Sequence, residues 1–205
     1  MQFSNYSTWV FDLDNTLYSA ETGIFDQVDK LMGEYIVKNL KIEISEAKKI
    51  QKKFFKKHGT TLKGLMDNYN IEPEHFLNEV HKLDYSIVKP NPILKESLKN
   101  INAKKIIYTN ANRTHVNAIL KQLDIENIFD VIFDITDANY IPKPEIEPYK
   151  QLVNEYRINT KETIMIDDIA KNLVPASKIG FTTVWLDIGK ENYSDDIEKS
   201  KKYLN

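Results

Sequence analysis

The sequence contains no cysteine, and this absence excludes disulfide bonds, thiolate zinc sites and cysteine nucleophiles together. The sequence has 28 Lys and Arg residues and 30 Asp and Glu residues, which gives a net charge of -2. The basic surface typical of nucleic-acid-binding proteins is therefore not expected. No apolar run reaches the roughly 18 residues of a membrane span. The segment from Met1 to Tyr6 also lacks the basic and apolar regions of a secretion signal. We therefore expect a cytoplasmic protein with neither a nucleic-acid nor a membrane partner.

What the sequence does contain is typical of one globular core with a smaller appendage. The chain has 205 residues, of which 41% are hydrophobic and 28% are charged. Short β-branched and aromatic runs predict five strands, and helical patterns alternate with strands two to five, which predicts an α/β parallel sheet covered on both faces. The predicted strands are 8–11, 105–108, 131–133, 163–166 and 182–186.

A long helical stretch separates the first predicted strand from the second. Apolar residues such as Ile24, Val28 and Leu31 recur at spacings of three and four, which indicates amphipathic helices rather than strands. We therefore predict a small all-helical insertion over residues 18–89. The core then comprises residues 1–17 and 90–205, and the polar tail after Gly189 receives no role.

Polar side chains follow three of the predicted strands at the point where each strand ends. Any one of these groups could form only a turn or a helix cap, because Asp, Asn and Thr do so routinely. In parallel sheets, however, ligands bind beyond the carboxyl ends of the strands, so the coincidence predicts one shared site. The residues are Asp12 and Asp14, Thr109 and Asn110, and Asp167 and Asp168.

A cation is required if these carboxylates converge. Two carboxylates about 4 Å apart repel by roughly 4 kcal/mol at an effective dielectric constant of 20, and several such pairs would rival the stability of a domain. An all-oxygen ligand set without His or Cys favours Mg²⁺, which prefers a site completed by a phosphate. Lys143, braced by Pro142 and Pro144, could supply the second positive charge that a phosphate needs.

Four ordered motifs resemble those of the haloacid dehalogenase superfamily. They are Asp12-Leu13-Asp14-Asn15-Thr16, the strand-terminal Thr109, the Lys143-Pro144 pair and the Asp167-Asp168 pair, and the resemblance spans residues 8–186. It implies a Rossmann-like three-layer core and identifies the helical insertion as a cap domain. Finer features resemble the pyrimidine 5'-nucleotidase branch: residues 59–65, Thr109-Asn110-Ala111 and residues 172–176.

The resemblance also implies roles for individual residues. Asp12 would be the nucleophile that forms an aspartyl-phosphate, and Asp14 would protonate the leaving group and then activate water. The remaining roles follow the motifs: Thr109, Asn110 and Lys143 bind phosphate, while Asp12, the backbone carbonyl of Asp14, Asp168 and, directly or through water, Asp167 hold Mg²⁺. Asn172 stands where many relatives have a second acidic residue, so we do not expect it to be a ligand.

The implied function is an Mg²⁺-dependent phosphatase that acts on a small phosphate ester, with pyrimidine nucleoside 5'-monophosphates as the expected substrates. Another small phosphometabolite, such as a sugar phosphate, remains an alternative because the cap selects the leaving group. Asp14 argues against a dehalogenase, which typically lacks that second aspartate. A non-catalytic phosphate-binding or phospho-accepting module is the remaining alternative, although such a module would not need Asp14 as a hydrolytic base.

Overall fold

The computed structural model describes residues 5–189 and contains a single parallel sheet within that range. The five strands predicted from the sequence are confirmed, and their order in the sheet is β3-β2-β1-β4-β5. The polar tail after Gly189 lies outside the described residues. The strands are β1 (Thr8–Phe11), β2 (Lys104–Tyr108), β3 (Val131–Phe133), β4 (Thr163–Asp167) and β5 (Thr182–Trp185).

The central position of β1 determines where the site forms. Thr8 pairs with both Lys104 of β2 and Thr163 of β4, so the three strands are in register and begin at the same level of the sheet. Phe11 consequently lies between Ile107 and Ile166. The residues that follow these three strands therefore emerge side by side at one edge of the sheet.

Two apolar clusters cover the two faces of the sheet and make a three-layer α/β core. Side chains alternate between faces along a strand, so Val10 belongs to one cluster and Phe11 to the other. Because both faces are covered, the strands show no regular alternation of apolar and polar residues, as expected of parallel sheets; Ile106, Ile107 and Tyr108, for example, are all buried. The core helices are α5 (Pro92–Lys99), α6 (Arg113–Leu123), α7 (Ile146–Tyr156) and α8 (Ala170–Lys178).

The predicted insertion contains four α-helices, and the apolar cluster that they share, which includes Ile36, Phe54, Leu65 and Phe76, extends to Ile135 of the core segment. Close contact between two of its helices depends on Gly64, because a Cβ there would lie 2.2 Å from the Phe54 ring. That residues 18–89 act as a cap stays a prediction. The helices are α1 (Ile24–Leu40), α2 (Ile44–His58), α3 (Thr61–Tyr69) and α4 (Pro73–Val80).

None of the helices between residues 5 and 189 is both long and apolar enough to cross a membrane.

Candidate active site

The loop after β1 is a tight turn that folds back on the strand end. The amide of Leu17 donates to the carbonyl of Leu13 at 2.9 Å, and Asn15 adopts a left-handed conformation with φ of 59°. Asparagine tolerates that conformation better than most residues. Thr16 then donates its hydroxyl to Asp12 Oδ2 at 3.0 Å. The turn therefore fixes one oxygen of Asp12.

Lys143 lies at the centre of the site although it is only 1% exposed. Its Nζ contacts Asp12 Oδ1 at 2.7 Å and Asp167 Oδ2 at 2.7 Å, and it donates to the Tyr108 carbonyl at 3.0 Å. Burial alone would lower the pKa of Lys143, but Asp12 and Asp167 raise it above the usual value. The lysine is therefore a permanent cation between two motifs that are distant in sequence.

Asn110 holds the backbone of Lys143 from both sides. Its Oδ1 accepts from the Lys143 amide at 2.8 Å, and its Nδ2 donates to the Lys143 carbonyl at 3.3 Å. Thr109, 1% exposed, accepts from the Ala111 amide at 3.1 Å through its hydroxyl. The structure thus brings both predicted phosphate-binding residues to the strand end beside Lys143. Their phosphate-binding roles stay predictions.

Both oxygens of Asp167 are engaged by neighbouring groups. Oδ1 accepts from the Ile169 amide at 2.8 Å, while Oδ2 faces Lys143. The Asn172 amide lies 3.1 and 3.2 Å from the two oxygens. Asn172 therefore supports Asp167 as a neutral donor.

Asp12, Asp167 and Asp168 form a buried group in which one carboxylate oxygen from each residue lies within 4.8 Å of the other two. Burial raises the pKa of Asp12 well above its usual value, and neighbouring carboxylates add to the rise although Lys143 opposes it. Burial, and next the charge of Asp167, raises the pKa of Asp168 to about 7. When all three carboxylates are ionised, Lys143 offsets one of their charges and two stay unmatched, which is the charge that a bound cation would neutralise.

These residues fit the predicted divalent cation. The donor set is entirely oxygen, which is the type that Mg²⁺ prefers. Within the described part of the chain, Asn15 Oδ1 is buried without a hydrogen-bond partner, while its Nδ2 lies 3.4 Å from Asp168 Oδ2. Unmatched negative charge and an unused oxygen at one place are both expected of a cation site.

The side chain of Asp14 points to a different set of partners. Its Oδ1 accepts from the Tyr18 hydroxyl at 2.6 Å and lies 2.8 Å from His115 Nε2. Burial would raise the pKa of Asp14, but His115 and Tyr18 outweigh burial and lower it. The neighbouring aspartates Asp12 and Asp14 therefore have pKa values displaced in opposite directions, a pattern typical of acid–base sites.

Sequence reasoning predicted no contact with the two aspartates for Thr16, Tyr18 or His115, although Thr16 belongs to the first motif. Thr16 and Tyr18 stand four positions after Asp12 and Asp14, a spacing that a turn can bring together, so this signal was available. His115 is one of four histidines scattered along the sequence. Its distance of 101 residues from Asp14 left no local signal that could have paired them.

The insertion lies against the site at Gly59, the residue that directly follows α2. A Cβ at Gly59 would meet the Lys143 carbonyl at 2.9 Å, and the residue has φ of 82°. A side chain is excluded there both by the close approach and by the conformation. The segment that begins α3 is therefore adjacent to the lysine loop.

The fold and the site together define an α/β protein with a carboxylate-based active centre. A sequence profile of the haloacid dehalogenase-like hydrolases matches residues 6–180, which is most of the chain. The chain therefore belongs to the haloacid dehalogenase-like hydrolase family, as the four motifs predicted.

Comparisons with individual proteins agree with this family. The chain is 24% identical over 212 aligned positions to glyceraldehyde 3-phosphate phosphatase of Methanocaldococcus jannaschii, covering 96% of this chain and 91% of that protein. It is 28% identical over 134 positions to phosphate metabolism protein 8 of Saccharomyces cerevisiae, covering 60% of this chain but only 41% of the yeast protein. A Bacteroides fragilis structure described as haloacid dehalogenase-like shares the fold, with a TM-score of 0.64, 17% identity and 93% coverage of both chains.

Proposed function

We propose that the protein is an Mg²⁺-dependent phosphomonoester hydrolase that works through an aspartyl-phosphate on Asp12. The observation that carries the proposal is the placement of Lys143 between Asp12 and Asp167, with Asp168 beside them and Asp14 held apart. A nucleophile, a fixed cation and a separate acid–base group are the parts that this two-step chemistry needs. Both sequence relatives bear names that refer to phosphate chemistry.

The residues divide the reaction into two steps. An oxygen of Asp12 attacks phosphorus, the bond to the leaving oxygen breaks, and Asp14 donates a proton to that oxygen. Asp14 then takes a proton from water, whose oxygen attacks the phosphoryl group and releases Asp12. The lowered pKa keeps Asp14 ionised and therefore able to accept a proton, at the expense of its strength as a base. For the first step, Asp14 must take up a proton before it can donate one.

Asp12, the backbone carbonyl of Asp14 and Asp168 would hold the metal ion. When bound, Mg²⁺ would supply charge that neutralises the phosphoryl oxygens and the unmatched carboxylates. Asp167, engaged by Lys143, Ile169 and Asn172, would mainly position the lysine. Lys143 would donate to the transferring phosphoryl group in place of one of its three present acceptors, which are Asp12, Asp167 and the Tyr108 carbonyl.

The expected substrates are pyrimidine nucleoside 5'-monophosphates such as UMP and CMP. This proposal is supported by the branch-like residues 59–65, which begin at Gly59 beside Lys143. A second candidate is a smaller phosphometabolite such as a triose or sugar phosphate. It is favoured by the Methanocaldococcus jannaschii relative, whose name specifies glyceraldehyde 3-phosphate and whose alignment covers nearly the whole chain.

A substrate panel tests the function and separates the two candidates. Phosphate release from UMP, CMP, AMP, glyceraldehyde 3-phosphate and glucose 6-phosphate would be measured with Mg²⁺ and with EDTA. We expect the highest kcat/KM for the pyrimidine nucleotides and a loss on the order of 100-fold in EDTA. Equal rates in EDTA would contradict the metal-assisted mechanism. A preference for the triose phosphate would replace the nucleotide proposal without affecting the chemistry.

Binding of Mg²⁺ is expected to depend on pH because a proton competes for Asp168. The pKa of this carboxyl is raised to about 7 in the folded protein, so the protonated form predominates below that pH and must lose its proton to bind metal. The apparent dissociation constant should rise about tenfold for each pH unit below 7 and level off above it. Magnesium titrations of the thermal midpoint at pH 5.5, 6.5 and 7.5 would measure it.

Asp168→Asn serves as the matched control because it removes the competing proton along with the ligand charge. This variant should bind Mg²⁺ weakly with a much flatter pH profile. A wild-type affinity that stays constant from pH 5.5 to 7.5 would contradict the assignment of Asp168 as a metal ligand.

A further inference from the structure

A group of buried polar side chains outside the four motifs surrounds the Asp14 carboxylate. His115, in the first turn of α6, is 1% exposed and places Nε2 at 2.8 Å from Asp14 Oδ1. Tyr18 reaches the same oxygen at 2.6 Å. Because a carboxylate can only accept hydrogen bonds, both neighbours must donate, so we assign a proton to Nε2 of His115.

The other nitrogen of the His115 ring is also held. Nδ1 lies 3.0 Å from the Tyr85 hydroxyl, which also lies 3.2 Å from the His81 carbonyl. The amide of His115 donates to Asn112 Oδ1 at 3.1 Å, so the backbone is fixed as well. Hydrogen bonds at both ring nitrogens and at the backbone leave the imidazole a single orientation.

The ring of His81 stacks on His115 with centroids 4.6 Å apart and an interplanar angle of 29°. Burial, and next the proximity of His115, lowers the pKa of His81 to about 3. His81 is therefore a neutral, flat packing surface at physiological pH. Like Tyr85, it belongs to the segment that leaves the helical insertion, whereas Tyr18 belongs to the segment that enters it.

We propose that His115 is a positioning residue that sets the orientation of Asp14 for proton transfer. Both hydrogen bonds end on Oδ1, so Oδ2 is the oxygen left to exchange protons with the leaving group and with water. Without the His115 donor, the carboxylate could rotate about its χ angles, and the fraction in the productive geometry would fall. This role rests on the proposed function, because it presupposes that Asp14 is the acid–base group.

A double-mutant cycle tests the role. The kcat and KM of wild type, His115→Leu, Asp14→Asn and the double variant would be measured with Mg²⁺ on the preferred substrate of the panel. We expect His115→Leu to lower kcat by about 10- to 100-fold with KM changed less than about threefold. Asp14→Asn should lower kcat more, and the double variant should equal Asp14→Asn within about twofold, because His115 acts only through Asp14.

Conservative and packing controls distinguish positioning from general damage. In His115→Gln, the side-chain amide can donate to Asp14 from nearly the same place, so kcat should stay within about fivefold of wild type. Val116→Ala removes a fully buried side chain from the same helix and should lower the thermal midpoint while leaving kcat within about twofold. If His115→Leu does not fold, Tyr85→Phe takes its place in the cycle, with a smaller loss that is again absent in the Asp14→Asn background.

The outcomes separate this role from the proposed function. An active wild type with an unimpaired His115→Leu variant, or with losses that add in the double variant, would overturn the positioning role alone. A wild type that hydrolyses no phosphate ester would overturn the proposed function and the role with it.

Discussion

Asp12→Asn is expected to lower kcat by a factor of at least about 10⁴ while leaving the fold intact, because the amide is a very poor nucleophile. The substitution preserves size, and the single amide oxygen can still accept from Lys143, while the amide nitrogen would face the Thr16 hydroxyl, which can turn to accept. Purified wild type and variant would be compared for phosphate release with Mg²⁺, and circular dichroism would verify folding. Residual turnover near the wild-type level would refute the nucleophile assignment.

A trapping experiment accompanies this variant and tests the alternative of a phospho-accepting module. Wild type quenched during turnover should gain the mass of one phosphoryl group on the peptide that contains Asp12, and Asp12→Asn should gain none. A wild type that accepts the phosphoryl group but never releases it would favour the module over the hydrolase. Asp14→Asn is the informative comparison, because loss of the base should make the phospho-enzyme accumulate.

Lys143→Met is expected to cost about 3–5 kcal/mol of unfolding free energy and to abolish activity. The methionine matches the volume of the lysine stem but leaves Asp12 and Asp167 buried without the cation that contacts both. For a chain of this size, the loss corresponds to a thermal midpoint roughly 10 °C lower. Urea unfolding monitored by circular dichroism at pH 7.5 without Mg²⁺ would measure it.

The destabilisation of Lys143→Met should also depend on pH. A carboxyl group whose pKa is raised in the folded state stabilises that state when protonated and destabilises it when ionised. The loss of unfolding free energy therefore grows as pH rises through the folded-state pKa. The deficit should therefore be smaller at pH 5 than at pH 7.5. Lys99→Met is the matched control, because Lys99 is a half-exposed lysine whose pair with Glu96 is worth at most about 1 kcal/mol. Equal losses in the two variants would show that Lys143 has no special electrostatic role.

The strands and the edge of the sheet that carries the site could be predicted because they depend on local patterns. Val10 and Phe11 form part of a short apolar run that ends abruptly at Asp12, and the same pattern recurs before Thr109 and Asp167. Such runs have to be buried, and parallel strands align their carboxyl ends, so the convergence of the polar residues follows from the strand assignments.

The partners of these residues could not be predicted in the same way. Asn110 was expected to bind phosphate, yet its side chain also fixes the backbone of Lys143. Asn172 was set aside as a departure from the family pattern, yet it donates to Asp167. Both contacts depend on how a loop and a helix approach the strand ends, and the identity of a single residue does not specify that approach.

By itself, the sequence determined the parallel α/β core, the helical insertion and the group of acidic residues beside one lysine, because periodicity and strand-end chemistry are local properties of the chain. Only the tertiary structure decided that Asp14 is held by His115 and that Lys143 lies between Asp12 and Asp167. Hydrogen bonds between residues tens of positions apart form only after the crossover helices have set distance and direction. The physical reason is geometric: such bonds require positions accurate to a fraction of an ångström, and that accuracy comes from packing.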